Sequence, residues 1–452
     1  MGNNNDDKKN YYDDILKINP SIAYEFKIIK KLKIYENFLD CNYIKKNNEI
    51  LNKYKNSSDD DLKNMIRLQL KEKKIFDSNL MPLTSFENPI INFHYEFGKN
   101  KLIKDDFDNF VEDCIEYMKK GIKKKITIPK VICLKLIKQI KKTKYHNLLK
   151  FLKEEYYPNC INKIGLCHLK NGKEYYKNLI KQYCNGAYIH PIKIHNYGKK
   201  LVKKFKKIKK DLYTSQKGFL RDIKNIYDEI LTKILPKYFN YIPDKNKCKI
   251  RPVPKSLERT NNIAYFEEDK ETFYFNLSKY DTINKDSLKS LILHETDPGH
   301  HYQYSYLNHY KKFPLYKINC IENEAFIEGW ALYSEKFDNI NSQEYEELRI
   351  IRLVVDTGIN YYGWSYEKAF NYMKKNISNI SNYEIKQEIE RYICVPGQAL
   401  VYKIGEKFIF KLRNLFINKY KLGDIKAFHD FILEDGIVSF KYLMNKLKEY
   451  HI

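Results

Sequence analysis

The sequence predicts a mainly α-helical protein, and three observations support this fold class. Apolar residues recur at helical spacing through most of the 452 residues. Glycine and proline number only 16 and 13, roughly half of their usual shares of about 7% and 5%, which disfavours a turn-dense β sandwich. The clearest β signal is confined to one short stretch. Because 43% of the residues are hydrophobic, the chain can bury an ample core, in two or three domains or in one large cleft-bearing unit.

The sequence pattern divides the chain into three segments. Residues 1–10 are a polar tail, residues 11–155 a helical N-terminal region, and residues 156–450 a second region that opens at Tyr156-Tyr157-Pro158. A helix is predicted to begin after Asn56-Ser57-Ser58-Asp59, because small polar side chains cap helices and acids favour their first turn. Another is predicted to begin after the Asn171-Gly172 turn.

Two short aromatic segments predict a small β-hairpin. They are IAYFEE, Ile263 to Glu268, and TFYFNL, Thr272 to Leu277, and three polar residues separate them. From Asp286 onward helical patterns return and continue almost to the C-terminus. The hairpin is therefore expected immediately before a long helical region.

The chain is strongly basic, with 82 Lys and Arg against 57 Asp and Glu, a formal net charge of +25. In the densest lysine run, residues 199–210, Leu201, Phe205 and Ile208 form one apolar stripe, which indicates a solvated helix face. The aromatic residues follow core-like patterns and match no nucleic-acid-binding motif. Nucleic-acid binding is therefore a lesser alternative, and no specific nucleic-acid partner is expected.

The location predicted from the sequence is cytoplasmic or intracellular, without a membrane partner. No window holds about 18 uninterrupted apolar residues, and the first residues lack the apolar core of a signal peptide. Nine scattered cysteines without a C-x-x-C pair indicate reduced thiols. Cys160, Cys167 and His168 are close in sequence, but no fourth ligand completes a metal site. Packaging in a virus particle is the alternative location if the source is a virus.

One cluster of histidines and carboxylates has the residue types of a metal hydrolase. The apolar run Leu288 to Leu293 leads directly into His294-Glu295-Thr296-Asp297-Pro298-Gly299-His300-His301. Such an enzyme needs two neutral imidazoles on one helix face and a carboxylate directed at the activated water. His294 and Glu295 provide the first imidazole and the carboxylate.

The second imidazole needs an interruption of the helix. Position 298, one turn after His294, is proline, and His301 would lie about 10 Å along an ideal helix, too far to share one ion. If Pro298-Gly299 bulges out, His300 returns to the face of His294. His300 is therefore the expected second ligand, and His301 is its rival or a supporting group.

A second acidic segment follows 28 residues after His300. Glu324, Glu328 and Glu335 share one side of a predicted helix whose other residues are largely apolar. Carboxylates in apolar surroundings need partners, and a zinc ion is one such partner. The alternative is an exposed pair of acids one turn apart.

At these motifs the chain strongly resembles the domain of unknown function 885 family, over roughly residues 156–450. The resemblance implies a zincin-like fold, similar to helical oligopeptidase-type metallopeptidases, with a deep cleft and one zinc ion held by His294, His300 (or His301) and Glu328. Asn360 stands where the family often has histidine. The motifs that carry the resemblance are HETDPGHHYQ, EGWALYSE, RLVVDTGINYYGWS, EIERYICVPGQALVYKIG and FHDFILEDG.

The resemblance and the residue chemistry together suggest hydrolysis of short peptides, with Glu295 as the general base. Three residues in family-like segments are candidate donors to the oxyanion, Tyr392 (preferred), Tyr402 and His429. Three others are candidates for binding a substrate carboxylate, Arg391, Gln398 and Arg413. The alternatives are core packing for the two tyrosines, a helix-surface histidine for His429, and structural ion pairs for the other three. The FYFNL strand is a candidate for aligning an extended substrate.

Two other function classes remain. A catalytically silent zincin-like scaffold for binding or assembly is compatible with Asn360 and with the divergent N-terminal third. Nucleotide chemistry is disfavoured because no phosphate-binding glycine motif occurs, and the lone Asp356-Thr357-Gly358 has no second triplet to form an acid dyad. The sequence leaves the natural substrate and the oligomeric state open.

Overall fold

The computed structural model confirms a mainly α-helical chain with one small sheet. It describes residues 4–86, 88–97, 101–204, 211–243, 245–258, 263–321, 323–337, 343–378, 380–420 and 424–450. The helices before the sheet are α1 (Asn4–Ile18), α2 (Pro20–Glu25), α3 (Cys41–Tyr54), α4 (Asp60–Ile75), α5 (Pro89–Phe97), α6 (Lys101–Lys124), α7 (Lys130–Ile140), α8 (His146–Phe151), α9 (Tyr157–Asn159), α10 (Gly172–Tyr183), α11 (Pro191–Val202), α12 (Gln216–Glu229) and α13 (Leu235–Tyr238).

A second series of helices follows the sheet and contains the segments with the histidine and acidic motifs. These helices are α14 (Lys285–Glu295), α15 (His300–Ser305), α16 (Leu315–Asn319), α17 (Glu324–Ser334), α18 (Gln343–Asn360), α19 (Tyr366–Asn376), α20 (Asn382–Cys394), α21 (Val401–Tyr420), α22 (Ile425–Leu433) and α23 (Phe440–Glu449). Among the described residues, none of the helices has the length and apolar character needed to cross a bilayer.

Both predicted helix starts are confirmed. The Asp59 carboxylate accepts a hydrogen bond from the Leu62 backbone N–H at the start of α4, and α10 begins at Gly172. At the N-terminus α1 begins at Asn4, inside the segment predicted to be a polar tail. The lysine-rich stripe is only partly described, since α11 ends at Val202 and residues 205–210 lie outside the described residues.

The predicted hairpin is confirmed, with one correction. Strand β1 is Lys249–Pro252, β2 is Ala264–Glu267 and β3 is Thr272–Phe275, and β2 pairs with β3 antiparallel. Strand β1, which the sequence did not predict, pairs with β3 in parallel. The FYFNL strand is therefore central in the order β1-β3-β2. It cannot add an extended substrate to its edge, because both of its edges are already paired.

The chain forms two compact units. The first comprises Met1–Gln182, Val355–Tyr372 and Asn382–Gln398, and the second comprises Tyr183–Val354, Met373–Ser381 and Ala399–Ile452. The second unit contains the sheet, the histidine segment and the acidic helix α17. The boundary predicted at residues 155/156 and the predicted deep cleft remain predictions.

In the second unit, α17 and α21 approach closely at two glycines. A Cβ atom on Gly329 would lie 2.5 Å from the carbonyl carbon of Gly405, and one on Gly405 would lie 1.8 Å from the Ala325 carbonyl oxygen. No side chain fits at either position. Trp330 and Leu332 of α17 are fully buried, so this helix and its carboxylates are fixed by packing.

Candidate metal centre

The helix that carries His294 ends at the next residue. The Thr296 N–H and hydroxyl both donate to the Ile292 carbonyl, at 2.9 and 2.6 Å, and α15 then begins at His300. A Cβ atom on Gly299 would lie 1.9 Å from the His294 carbonyl oxygen, so only glycine lets the chain turn back this closely. The sequence predicted a bulge within one helix, but the chain instead has a break between two helices. As predicted for the bulge, the break brings His300 back to His294.

Helix α17 holds this connection in place. The Trp330 indole Nε1–H donates to the Pro298 carbonyl at 2.8 Å, and the Ser334 hydroxyl donates to the same oxygen at 3.1 Å. All three residues are buried. The helix that carries Glu328 therefore also fixes the turn between the two histidines.

His294, His300 and Glu328 come together around one point. Their candidate ligand atoms all lie within 4.8 Å of one another. Glu328 Oε2 is 3.5 Å from His294 Nε2 and 3.7 Å from His300 Nε2, and it is buried without a hydrogen-bond partner. The imidazole rings are nearly perpendicular, at 88°. Two imidazoles and a carboxylate form a donor set suited to zinc.

The electrostatics of the cluster follow from these contacts. Burial disfavours the charged form of His294, but Glu328 and Glu335 outweigh it and raise the pKa of His294 to about 9. Burial would also raise the pKa of Glu328, but the two neighbouring histidines hold it well below its usual range. The site therefore favours a positive charge beside an ionised Glu328.

His301 is not part of the cluster. Its Nδ1 lies 2.9 Å from Asp297 Oδ1, and its Nε2 is buried without a hydrogen-bond partner. The Tyr227 hydroxyl donates to the other Asp297 oxygen at 2.8 Å. Asp297 thus orients the His301 ring from within the connecting turn. Of the two rival histidines, the structure brings His300 to His294 and Glu328.

A buried ion pair lies on the other side of His294. Its Nδ1 is 2.8 Å from Glu335 Oε1, and Glu335 pairs with Arg349 of α18 at 2.6 Å. The Ser290 hydroxyl donates to the second Glu335 oxygen at 2.5 Å. Burial alone would raise the pKa of Glu335, but Arg349 and His294 outweigh this effect and lower the pKa to about 2. Glu335 is therefore an ionised acceptor for a proton on Nδ1.

Glu295 directly follows His294 in the chain and is half-buried. Its Oε2 accepts a hydrogen bond of 2.9 Å from the backbone N–H of Phe266 in β2. This bond fixes the carboxylate that the sequence selected as general base. It also shows which strand adjoins the site: β2, the edge strand, and not the FYFNL strand.

The other predicted residues of the second unit have different surroundings. His429 is buried, its Nδ1 lies 2.8 Å from the Tyr238 carbonyl and its Nε2 lies 2.9 Å from the Tyr333 hydroxyl. Burial lowers the pKa of His429 to about 3. Both ring nitrogens of His429 are thus engaged within the core, and its oxyanion role stays a prediction. Tyr402 lies under the guanidinium of Arg352 at 4.9 Å, and its role stays a prediction.

Arg413 is the remaining candidate of the second unit. Its guanidinium lies 5.9 Å from the centre of the Tyr333 ring, and its Nε is buried without a hydrogen-bond partner. This arrangement neither assigns Arg413 to an ion pair nor brings it to the cluster. Substrate binding by Arg413 stays a prediction.

The remaining three candidates belong to the first unit. Tyr392 is fully buried, and its hydroxyl donates to Glu388 Oε2 at 2.5 Å, which corresponds to the core alternative and not to a free oxyanion donor. Arg391 donates to Gln398 Oε1 and lies 3.9 Å from Glu388. The two residues predicted to bind a substrate carboxylate thus bind each other.

Asn360 also has a structural role in the first unit. Its Oδ1 accepts from the Leu166 N–H at 3.1 Å, and its Nδ2 donates to the Tyr392 carbonyl at 2.8 Å. The side chain is fully buried and joins three segments of the backbone. The departure from the family pattern at this position is therefore accommodated by internal hydrogen bonds.

The sequence reasoning missed Arg349 and the hydrogen-bonding roles of Trp330 and Ser334. A signal for Arg349 is present, because this arginine lies among apolar residues of α18, at Ile350, Ile351 and Leu353. A buried arginine in an apolar stripe requires an acidic partner. Its partner could not be chosen from sequence, since Glu324, Glu328 and Glu335 were equal candidates.

One comparison shows the family of the chain, and another shows its fold. A family described as "Bacterial protein of unknown function (DUF885)" matches residues 205–447. The crystal structure of a "putative lipoprotein" from Colwellia psychrerythraea is 21% identical, covers 89% of each chain and has a TM-score of 0.69. A "putative lipoprotein of unknown function" from Shewanella oneidensis is 16% identical, covers 99% of this chain and 100% of its own, and has a TM-score of 0.61. No curated protein matches the chain.

Proposed function

The chain belongs to the domain of unknown function 885 family, and we propose that it is a zinc-dependent peptidase that hydrolyses short peptides. One observation carries the proposal. The buried, unpartnered Oε2 of Glu328 faces the Nε2 atoms of His294 and His300, and the carboxylate of Glu295 follows directly in the chain. A zincin-like site has this composition.

The donor set fits zinc and not a hard cation. Two imidazole nitrogens and one carboxylate oxygen suit Zn²⁺, whereas Ca²⁺ and Mg²⁺ prefer oxygen ligands. A zinc ion there would acidify water and polarise a substrate carbonyl. Three protein ligands leave a further position for water or substrate, as catalytic zinc sites require.

The chain's own residues supply the proton transfer. Glu295 would take one proton from the attacking water and deliver it to the nitrogen of the leaving amine, so that one water and one peptide bond become a carboxylic acid and an amine. The Phe266 N–H holds Oε2 of Glu295, which leaves Oε1 for this transfer. The carboxylate is held by the backbone and needs no side-chain partner to keep its orientation.

Strand β2 is the candidate aligner of an extended peptide. The Asn276 N–H donates to the Ile263 carbonyl on the inner side of the hairpin, whereas the Phe266 N–H points to Glu295 on the outer side. Because adjacent residues of a strand alternate in direction, the polar backbone groups of Ala264 also point outward. A substrate added to this edge would run beside the general base, which favours an unfolded, short peptide.

The deciding experiment compares wild type with Glu295→Gln. We expect about one zinc per chain in both proteins, cleavage of a pool of short peptides by wild type, and at least ~100-fold slower cleavage by the variant, since general bases contribute about 10²–10⁴. Glu367→Gln, an exposed change on α19, is the matched control and should keep full activity. Equal rates for Glu295→Gln and wild type would remove the assigned base.

The same experiment separates the alternatives. Zinc binding without cleavage of any peptide would support the silent scaffold. Nucleic-acid binding that weakens steeply with salt would support the lysine-rich surface as a binding site. Location is a separate question: the neighbours' description as lipoproteins makes an envelope protein the rival of the intracellular one predicted from sequence. Fractionation of cells that produce the native chain distinguishes the two.

A further inference from the structure

Two residues meet the same nitrogen of His294 from different directions. Glu335 Oε1 lies 2.8 Å from Nδ1, and Arg349 Nη2 lies 3.3 Å from it. The Arg349 Nη1 atom is also 2.6 and 2.7 Å from the two Glu335 oxygens. The guanidinium therefore contacts both the imidazole and the carboxylate.

These contacts offer His294 two different tautomers. If Nδ1 carries the proton it donates to Glu335, and the lone pair on Nε2 is available to a cation. If Nδ1 is unprotonated, it accepts a hydrogen bond from Arg349. The proton is then on Nε2 and prevents this nitrogen from binding a cation. Glu335 is the closer partner of Nδ1, at 2.8 Å against 3.3 Å for Arg349. Arg349 already donates to the Glu335 carboxylate, so the tautomer that donates to Glu335 is favoured.

We propose that Arg349 is a positioning residue for the metal centre: it clamps Glu335 in the orientation that keeps the Nδ1 proton of His294 and leaves Nε2 as a ligand. This inference rests on the proposed zinc site. Arg349 does not touch the ion or the substrate in this scheme. It acts through Glu335, which acts through His294.

Burial makes the arginine necessary. Glu335 is 3% exposed and Arg349 is 8% exposed. A carboxylate in such surroundings is costly without a partner, and removal of one member of a buried pair leaves an uncompensated charge. The Ser290 hydroxyl supplies one hydrogen bond to Glu335 but no charge. Arg349 supplies both the charge and a fork that reaches Glu335 and His294.

The neighbouring charges do not replace this contact. Glu346, one turn earlier on α18, pairs with Lys403 and with Lys336. Lys403 in turn pairs with Glu406. Arg352, one turn later on the same helix, lies over the Tyr402 ring. The contacts described here for these five residues do not include Glu335, whereas Arg349 contacts both of its carboxylate oxygens.

The test measures zinc affinity by competition with a chelator, so that it does not depend on peptidase activity. Arg349→Met should bind zinc about 10- to 100-fold more weakly, the usual effect of losing a group that supports a ligand. Arg349→Lys keeps the positive charge but lacks the guanidinium fork, and its zinc affinity should lie between those of wild type and Arg349→Met. Arg352→Met, which removes a buried arginine from the same helix, is the matched control and should stay within about threefold of wild type.

A second variant pair distinguishes positioning from stability. Glu335→Gln puts an amide N–H against Nδ1, favours the tautomer with a proton on Nε2, and should weaken zinc binding most. Glu335→Met with Arg349→Met replaces the ion pair by apolar side chains, and such replacements often preserve or increase stability. We expect this double variant to melt at or above the midpoint of Arg349→Met while its zinc affinity stays low. The cobalt-loaded protein gives an independent readout, because its visible spectrum reports the ligand set.

The outcomes separate this inference from the proposed function. If folded Arg349→Met binds zinc as tightly as wild type, the positioning role is wrong while the zinc peptidase stands. If zinc binding weakens as expected but wild type cleaves no peptide, Arg349 positions a metal site in a protein that is not a peptidase. If wild type itself binds no stoichiometric zinc, both the positioning role of Arg349 and the proposed zinc peptidase are wrong. If Arg349→Met does not fold, the zinc affinities of Arg349→Lys and of the double variant test the inference in its place.

Discussion

The Trp330 indole donates a 2.8 Å hydrogen bond to the Pro298 carbonyl oxygen, which links the acidic helix to the turn between the two histidines. The Ser334 hydroxyl donates to the same oxygen. One helix therefore both carries Glu328 and sets the turn that places His300 beside it. The close succession of Glu328, Trp330 and Ser334 thus has a geometric explanation: Glu328 faces the two histidines, and the other two side chains hold the turn between them.

Trp330→Phe should weaken zinc binding and lower the free energy of unfolding by about 1–3 kcal/mol, because the buried Pro298 carbonyl loses its best donor. Ser334 still donates to it, so the loss should be partial. The measurement is zinc competition together with urea unfolding in the presence of a chelator. Trp364→Phe changes the chain's other tryptophan, which lies in the first unit, and should leave zinc affinity unchanged. Equal zinc affinities for wild type and Trp330→Phe would contradict the link.

Gly405→Ala should destabilise the crossing of α17 and α21 strongly. A Cβ atom there would lie 1.8 Å from the Ala325 carbonyl oxygen, and this neighbour is backbone that cannot rotate away. Overpacking costs about 1–3 kcal/mol and sometimes more. Thermal unfolding should therefore show a clear drop in the midpoint.

The matched control is Gly218→Ala, a glycine in the first turn of α12. The nearest atom to its added Cβ is the Ser215 hydroxyl oxygen at 3.1 Å, which belongs to a small side chain. Alanine also favours helix over glycine by up to about 1 kcal/mol. The control should change stability by no more than about 1 kcal/mol. A Gly405→Ala protein as stable as this control would show that the crossing can relax.

The core of the candidate site was predictable because its chemistry is local in sequence. His294, Glu295 and His300 lie within seven residues, and the Pro298-Gly299 interruption sets their geometry. The pattern of acids on a largely apolar helix indicated Glu324, Glu328 and Glu335 together, and it was the resemblance to the family that selected Glu328 among them. The break of the helix, in place of a bulge, depends on the contact of Pro298 with Trp330 and Ser334, which spacing alone does not give.

The features that were not predicted from the sequence depend on contacts between residues far apart in the chain. Arg349 lies 55 positions from His294, and nothing in the sequence pairs the two. The roles of Tyr392, Arg391 and Gln398 stay predictions, because the family-like motif in which they stand does not specify which hydrogen bonds its residues make. Strand β1 was missed because its four residues, KIRP, contain a single apolar residue, Ile250, and therefore show no alternating pattern. These residues form a strand because they pair with β3, which their composition alone does not predict.

Zinc should stabilise the folded chain, and a chelator should reverse this effect. Binding to the native state alone raises the free energy of unfolding by about 2.7 kcal/mol at a free concentration 100 times the dissociation constant. Glu328→Gln removes one ligand and should lose most of the zinc-dependent rise in the melting midpoint, while Glu367→Gln should keep it. An equal rise for wild type and Glu328→Gln would place the bound zinc at another site.

The last prediction concerns pH and the first unit, where Asp356 is a fully buried carboxyl group. Burial raises the pKa of Asp356 from 3.8 to about 7, although the Tyr176 hydroxyl, the Gly397 N–H and Asn360 all favour the ionised form. Between about pH 4 and 7 the folded chain therefore holds a proton that the unfolded chain has lost. The contribution of this group to stability is fully present below about pH 4, falls as the pH rises to 7, and changes little above that.

Asp356→Asn should remove this dependence, so that the difference in unfolding free energy between pH 5 and pH 8 becomes smaller than in wild type. Urea unfolding of chelator-treated protein at several pH values measures it. Tyr176→Phe is the informative companion, because loss of its hydrogen bond, 2.5 Å to Asp356 Oδ1, removes a group that lowers the pKa of Asp356. In that variant the decline should extend to higher pH than in wild type. If both variants instead lose stability by the same amount at every pH, Asp356 does not titrate in this range and its carboxylate is ionised throughout.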